Sequence, residues 1–201
     1  MTPFRMADVR VPRLPTFSAW RSFPELNVRV YVRGPDGRDG IWFPLLLATP
    51  PTFVTLLRAA GVPYRRTHAE VITTGPLRRY CFLPADRGPW RSATAFRADV
   101  QVGQPLEATQ RTPLLESLTG RWGAYHRRGP FLLRTPVQHE PWTLLAAAAE
   151  GDLSPPLTAV GLPRPQRPPV VHAARTVHVA VGVPRPVGIA APDRGQQDRH
   201  S

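Results

Sequence analysis

Residues 25–33, ELNVRVYVR, alternate in polarity. Leu26, Val28, Val30 and Val32 fall on one side, and Glu25, Asn27, Arg29, Tyr31 and Arg33 on the other. A period of two predicts a strand with one apolar face. The next stretch, GPDGRDG (34–40), carries Asp-Gly pairs between two strand-like runs, which mark a hairpin. Its G-x-x-G-x-x-G spacing, with no helical pattern after it, argues against a phosphate-binding glycine loop. Ile41 to Ala48 is apolar almost throughout and predicts a return strand buried on both faces. A helix over 50–60 follows, with Thr49 as N-cap and Pro50 in the first turn. Phe53, Leu56, Leu57 and Ala60 form its apolar stripe, and Gly61 ends it.

Further strands are predicted near 65–73, 77–83 and 93–102. Thr112-Pro113 opens a short helix with Leu114, Leu115 and Leu118 inward, closed by Gly120. Strands near 122–127 and 131–138 pair across Arg128-Gly129-Pro130. Residues 142–150, WTLLAAAAE, have the propensity of a helix. A proline-rich connector (154–169) precedes a last strand over roughly 170–183. Residues 184–201 lack aromatics and periodicity and read as a disordered tail. The expectation is one domain, 1–183, of the α+β class. It is a mostly antiparallel curved sheet or β cone with two or three short helices.

The chain has 201 residues, 42% of them hydrophobic, enough for a real core. The longest apolar run, Ile41 to Ala48, is interrupted by Pro44 and is far too short to span a membrane as a helix. A single cysteine, Cys81, precludes an intrachain disulfide and suits a reducing cytoplasm. It lies in a strand-like RRYCFLP segment, where a lone cysteine reads as a small buried hydrophobe. The net charge is +12, and all 26 basic residues are arginine. The arginines are spread from Arg5 to Arg199 with no run longer than two. Arginine-rich, lysine-free composition follows GC-rich coding, so no dedicated nucleic-acid binding and no membrane partner is expected, while a homo-oligomer stays open. There is no G-x-S-x-G, G-x-G-x-x-G, P-loop, H-E-x-x-H or C-x-x-C. Among six histidines only loose pairs arise: His68 with Glu70, and His172 with His178 if one strand runs through both. Three or four converging ligands are needed for zinc, so no metal and no cofactor is expected.

The Glu25-Asn27-Arg29-Tyr31 row reads in two ways. It is the solvated side of a half-buried strand, or the polar lining of a cavity inside a curved sheet. FPELNVRVYV, the glycine turn, GIWFPLLLA and the helix ending AAGVPY together resemble the YqjF-like bacterial family, a domain of unknown function. The resemblance continues through LTGRWGAYHRRGPFLLRTPVQHEPW and GLPRPQRPPVVHAARTVHVAVGVP, and covers about 4–183. It implies the fold of acetoacetate decarboxylase, a β cone around a small cavity, with the polar row inside and Glu25 in the place of a cavity glutamate. The decarboxylase's Gly-x-Pro-Lys-Lys segment aligns with Gly61-Val62-Pro63-Tyr64-Arg65. Tyr64 has no amine and Arg65 cannot lose its proton to form an imine. Schiff-base decarboxylation on a lysine is therefore excluded. The family's His-His pair is Gln138-His139 here, so only His139 carries over. Relatives usually begin with some forty further residues, so early strands of the family are expected to be missing before Thr2-Pro3-Phe4-Arg5-Met6.

These observations converge on a small, anionic ligand as the expected partner. Arg29 would be its charge partner, with Glu25, Asn27, Tyr64 and His139 orienting it. Glu25 or His139 could serve as general acid or base, but no catalytic residue can be assigned. The rivals are a non-catalytic structural or interaction domain with a filled cavity, and an arginine-mediated nucleic-acid binder.

Overall fold

Strand β3 (Asp39–Ala48) is the strand on which the sheet turns. On one edge it pairs antiparallel with β2 (Ser22–Arg33) across the predicted hairpin. On the other edge it has two partners, both parallel. Ile41 and Trp42 pair with β7 (Gly123–Arg128), and Leu46 to Ala48 pair with β4 (Tyr64–Thr74). Between those two stretches lies Pro44, which has no N–H to donate and is tolerated in a sheet only at an edge or bulge. The β2–β3 register slips at this point: Val28 faces Leu45 and Val30 faces Trp42, so Phe43 and Pro44 together oppose Arg29. Two residues against one is a β-bulge, which bends the strand and re-aims its side chains. One proline thus lets the far edge of β3 change partner and sets Arg29 at the bend.

The computed structural model describes residues 1–10, 20–85 and 95–189. Its elements in order are β1 (Thr2–Ala7), β2, β3, α1 (Pro51–Ala59), β4, β5 (Leu77–Pro84), β6 (Phe96–Pro105), α2 (Pro113–Thr119), β7, β8 (Phe131–His139), β9 (Leu144–Glu150), α3 (Pro155–Thr158), β10 (His172–Ala174), β11 (Val179–Val181) and β12 (Arg185–Ile189), with a 3-10 turn at Ala108–Gln110 before α2. The sheet runs β10-β9-β6-β5-β4-β3-β7-β8-β11, with β2 and then β1 branching from β3 and β12 joining β8. All pairings other than the two parallel ones on β3 are antiparallel. The α+β, mostly antiparallel architecture expected from the pattern is the one found. The edge of β2 is covered by β1, which pairs Thr2 with Asn27 and Phe4 with Glu25.

The two faces of the β2–β3 hairpin bury different layers. Leu26, Val28, Leu45 and Leu47 join Phe82, Phe96 and Ala98, covered by Leu153, Leu157, Val160 and Leu162 from α3 and its flanks. The opposite face carries Phe23, Leu46 and Ala48 beneath α1, with Trp20, Phe53, Val54 and Tyr64. Phe53 is the hub of this second layer. Its ring lies 5.5 Å from Trp20, 5.0 Å from Phe23 and 5.2 Å from Tyr64, edge-on to Trp20 and Tyr64. The Trp20 indole donates to Thr52 Oγ1 at 3.0 Å, which pins the ring to the start of the helix.

Several local expectations are corrected. Pro50, not Thr49, is the N-cap of α1, with Pro51 opening the helix. The buried stripe is Phe53 and Val54 with Leu57 packed beside them, while Leu56 is 37% exposed. Gly61 does end the helix, at φ +88°, and a Cβ there would meet the Arg127 carbonyl at 2.6 Å. In α2, Thr112 accepts from the Leu115 N–H at 3.2 Å as expected, but Leu114 points outward at 68% exposure. Residues 142–150 contain β9 rather than a helix. The alanine run fits between β6 and β10, where paired backbones outweigh a propensity of a few tenths of a kcal/mol per residue. The single strand expected over 170–183 is two short ones: β10 pairs with β9 and β11 with β8, at opposite ends of the sheet. His172 and His178 therefore do not share a strand. Of the tail expected beyond 184, Arg185–Ile189 form β12 on the edge of β8, a pairing made by the backbone that no side-chain pattern announces. Residues 190–201, and positions 93–94 of the strand expected over 93–102, lie outside the described residues.

Because Phe53 joins three aromatic neighbours in a closed layer, Phe53→Ala is expected to cost about 3–5 kcal/mol in urea unfolding. Leu56→Ala, on the exposed side of α1, should cost under about 1 kcal/mol. Equal losses from the two would show that the helix buries a different face.

Candidate functional site

The polar row of β2 lies on the α1 face of the sheet, in register with the aromatic layer. Glu25 pairs across β3 with Ala48, and Asn27 with Leu46. Tyr64, at the start of β4, pairs with Leu46 on the other edge of β3. The small side chain of Ala48 leaves room above the sheet, and the Tyr64 hydroxyl reaches across to donate to Glu25 Oε2 at 3.1 Å. Glu25, Asn27 and Tyr64 are all buried. Arg29, at the bulge, remains partly exposed, and its Nε donates to Asn27 Oδ1 at 3.1 Å. The result is a chain of contacts running Tyr64–Glu25–Asn27–Arg29, driest from Tyr64 to Asn27.

Burial dominates the electrostatics. Loss of water pushes the Glu25 carboxyl up to about 7, against hydrogen bonds from Tyr64 and Asn27 and the charge of Arg29, which pull it down. The Tyr64 hydroxyl is held well above its ordinary value by burial and by the neighbouring carboxyl, so it stays a donor. Burial lowers Arg29, with Tyr31 and Glu25 opposing it; a guanidinium still carries its charge. A carboxyl poised near neutrality beside a fixed cation can give or take a proton at physiological pH. Each protonation state finds a partner, because Tyr64 donates to the ionised form and Asn27 offers both a donor and an acceptor.

Of the five residues expected at the site, the structure brings Glu25, Asn27, Arg29 and Tyr64 together. It places His139 elsewhere, at the end of β8. Register carried through β3 and β7 sets His139 some ten residues further along the strand direction than Glu25, on the order of 30 Å. There it stacks on Trp122, ring centroids 4.8 Å apart, and its Nδ1 lies 2.6 Å from the Glu140 carbonyl. His178 pairs with Glu140 at 2.7 Å and does not join a metal cluster; among the described residues no group of three metal-ligating side chains converges. Sequence reasoning missed Phe53 as part of the site. It read as a packing residue of the helix, and only its ring contact with Tyr64 shows that it closes the dry end of the polar chain.

The shift of Glu25 has a consequence for stability. From about pH 4.5 to 7 the folded chain holds a proton on Glu25 that the unfolded chain has released, so stability falls as pH rises through this window. The contribution is intact below pH 4.5 and lost above 7, on the order of 3 kcal/mol in all. The α-amine of Met1, lowered to about 6 by burial and by Arg29, acts in the opposite sense. A comparison with Glu25→Gln at each pH isolates the carboxyl. The variant is expected to gain on the parent protein between pH 4.5 and 8 in urea unfolding; parallel stability curves would show that Glu25 titrates normally.

Residues 1–178 match the DUF2071 family, described as an uncharacterised conserved protein. The uncharacterised protein YqjF of Bacillus subtilis (strain 168) is 29% identical over 176 residues, which span 87% of this chain and 71% of YqjF. Among solved structures, acetoacetate decarboxylase from Legionella pneumophila superposes with a TM-score of 0.52 at 12% identity, over 84% of this chain and 73% of that one. The enduracididine biosynthesis enzyme MppR, complexed with pyruvate, gives 0.51 at 14% identity over 84% and 67%. An acetoacetate decarboxylase-like enzyme from Sphingomonas wittichii RW1 gives 0.50 at 9% identity over 85% and 70%. At such identities the likeness is one of fold, and the chain spans roughly two thirds to three quarters of these structures. The matches, with the branched and mostly antiparallel sheet, show that this chain is a member of the DUF2071 family built on an acetoacetate decarboxylase-like fold.

Proposed function

We propose that the protein binds a small carboxylate-type anion at the Arg29 end of the polar chain, with Glu25 as the proton-exchanging group. The observation that carries this reading is the Arg29 guanidinium linked through Asn27 to the buried Glu25 carboxyl, which burial pushes up to about 7. Protonated Glu25 leaves the charge of Arg29 uncompensated, so an anion is favoured there. Tyr64 and Asn27 orient the carboxyl rather than touch the ligand. The chemistry does not run through a lysine imine, since the chain contains no lysine and the aligned segment offers Tyr64 and Arg65.

One observation favours a second reading, a domain without a ligand. Glu25, Asn27, Arg29 and Tyr64 hydrogen-bond to one another, and Phe53 and Phe23 fill the layer above them. Pyruvate, with which MppR is complexed, is a suitable probe. Titration with pyruvate or acetoacetate should perturb the amide resonances of β2 and β4, more strongly at pH 6 than at pH 8. Arg29→Ala should weaken binding by about 2–5 kcal/mol. No response from β2 at either pH would favour the filled domain. Borohydride treatment with acetoacetate should give no adduct beyond the α-amine; an adduct mapped to any other residue would refute the exclusion of an imine.

A further inference from the structure

A strongly basic concavity lies away from Glu25. It is a cleft of about 470 Å³ where the β2–β3 turn meets the loop after α2 and strand β8. Four arginines line it, Arg33, Arg38, Arg121 and Arg134, with Asp39 and Trp122. They come from three separate stretches of chain, so the cluster is a product of the fold and not of a basic run.

Two carboxylates stand against the four guanidinium groups. Asp39 serves both Arg33, at 3.0 Å, and Arg121. Asp36 takes the Tyr125 hydroxyl at 2.6 Å and stands 4.0 Å from Arg134 Nε, too far for a hydrogen bond. The cleft therefore keeps an excess of about two positive charges. Arg121 and Arg134 are the deeper pair, each with a side chain 14% exposed. Each lies over an aromatic ring, Arg121 over Tyr31 and Arg134 over Tyr125, at 5.8 and 6.0 Å. A Cβ at position 123 would meet the Arg134 guanidinium at 2.6 Å, so Gly123 is what lets that group lie where it does. In both side chains the Nε is buried without a hydrogen-bond partner among the described residues. Their terminal nitrogens carry the contacts, Arg121 to Ser117 Oγ at 2.9 Å and to Asp39, and Arg134 to the Trp122 carbonyl at 3.5 Å. Beside the arginines, Trp122 is 48% exposed while it stacks on His139, which in turn packs on Trp142 at 5.1 Å.

We infer that this cleft binds a small organic phosphate, its phosphate oxygens held by Arg121, Arg134 and Arg38 and its flat ring laid on Trp122. A phosphate monoester carries close to two negative charges at neutral pH, matching the excess in the cleft. Its oxygens suit guanidinium forks, and the volume lies within the range of ordinary ligand sites. His139 belongs to this shelf as the ring that supports Trp122.

The test uses the full chain and three probes: AMP, glucose 6-phosphate and adenosine, each titrated calorimetrically at low salt. AMP is expected to bind most tightly, glucose 6-phosphate more weakly and adenosine not measurably, with pyruvate unable to displace AMP. Arg121→Gln and Arg134→Gln should each weaken AMP at least about tenfold. Should either variant lose its cooperative melt, the exposed Arg38→Gln supplies the same readout without burial. Trp122→Ala should lower the affinity for AMP and leave glucose 6-phosphate unchanged. Adenosine binding as well as AMP, no binding of either phosphate, or AMP affinity untouched by Arg38→Gln would each overturn the assignment. Equal affinity for AMP and glucose 6-phosphate would overturn the role given to the ring.

Discussion

The carboxyl of Glu25 sits where water does not reach, and much of the surrounding fold exists to keep it so. It is carried by the one strand face that α1 covers, opposite an alanine that leaves space and beneath an aromatic layer centred on Phe53. Removing a carboxylate from water is costly unless it is neutralised or well partnered. The protein does some of both. Tyr64 and Asn27 supply hydrogen bonds and Arg29 a charge, yet desolvation still wins and the group rests near neutrality.

This balance depends on β3. If β3 kept a single partner along its far edge, the sheet would continue past the hairpin without a break. Instead Pro44 interrupts the ladder, β7 takes the first part of the strand and β4 the last, and Tyr64 arrives beside Leu46 within reach of Glu25. The same bulge places Arg29 opposite Phe43 and Pro44, at the bend of the strand. A single residue without an N–H thereby sets both the tyrosine end and the arginine end of the polar chain.

The hairpin, its turn and the caps of α2 were legible in the sequence because each rests on local rules: alternation, Asp-Gly pairs, Thr-Pro. The polar row was legible too, although alternation alone left its surroundings undetermined. What settles them is α1 folding back over β2 and β3, a long-range contact. The alanines of β9 were misleading for the converse reason, since their helix preference is weak and the slot between β6 and β10 is strong. The run from 170 to 183 looked continuous because nothing in its composition says that the chain crosses from one end of the sheet to the other. The arginine cleft was hidden by dilution. Arg33, Arg38, Arg121 and Arg134 are four of 26, and only the hairpin meeting the loop after α2 sets them apart.

The most direct test of this account is the titration of Glu25 itself, followed through its side-chain carboxyl carbon by NMR on uniformly labelled protein, with Glu25→Gln to assign the signal. Desolvation outweighing its three partners predicts a midpoint near 7. A midpoint at the ordinary carboxyl value of about 4.5 would mean that water reaches the group, and that the aromatic layer does not do what is claimed for it.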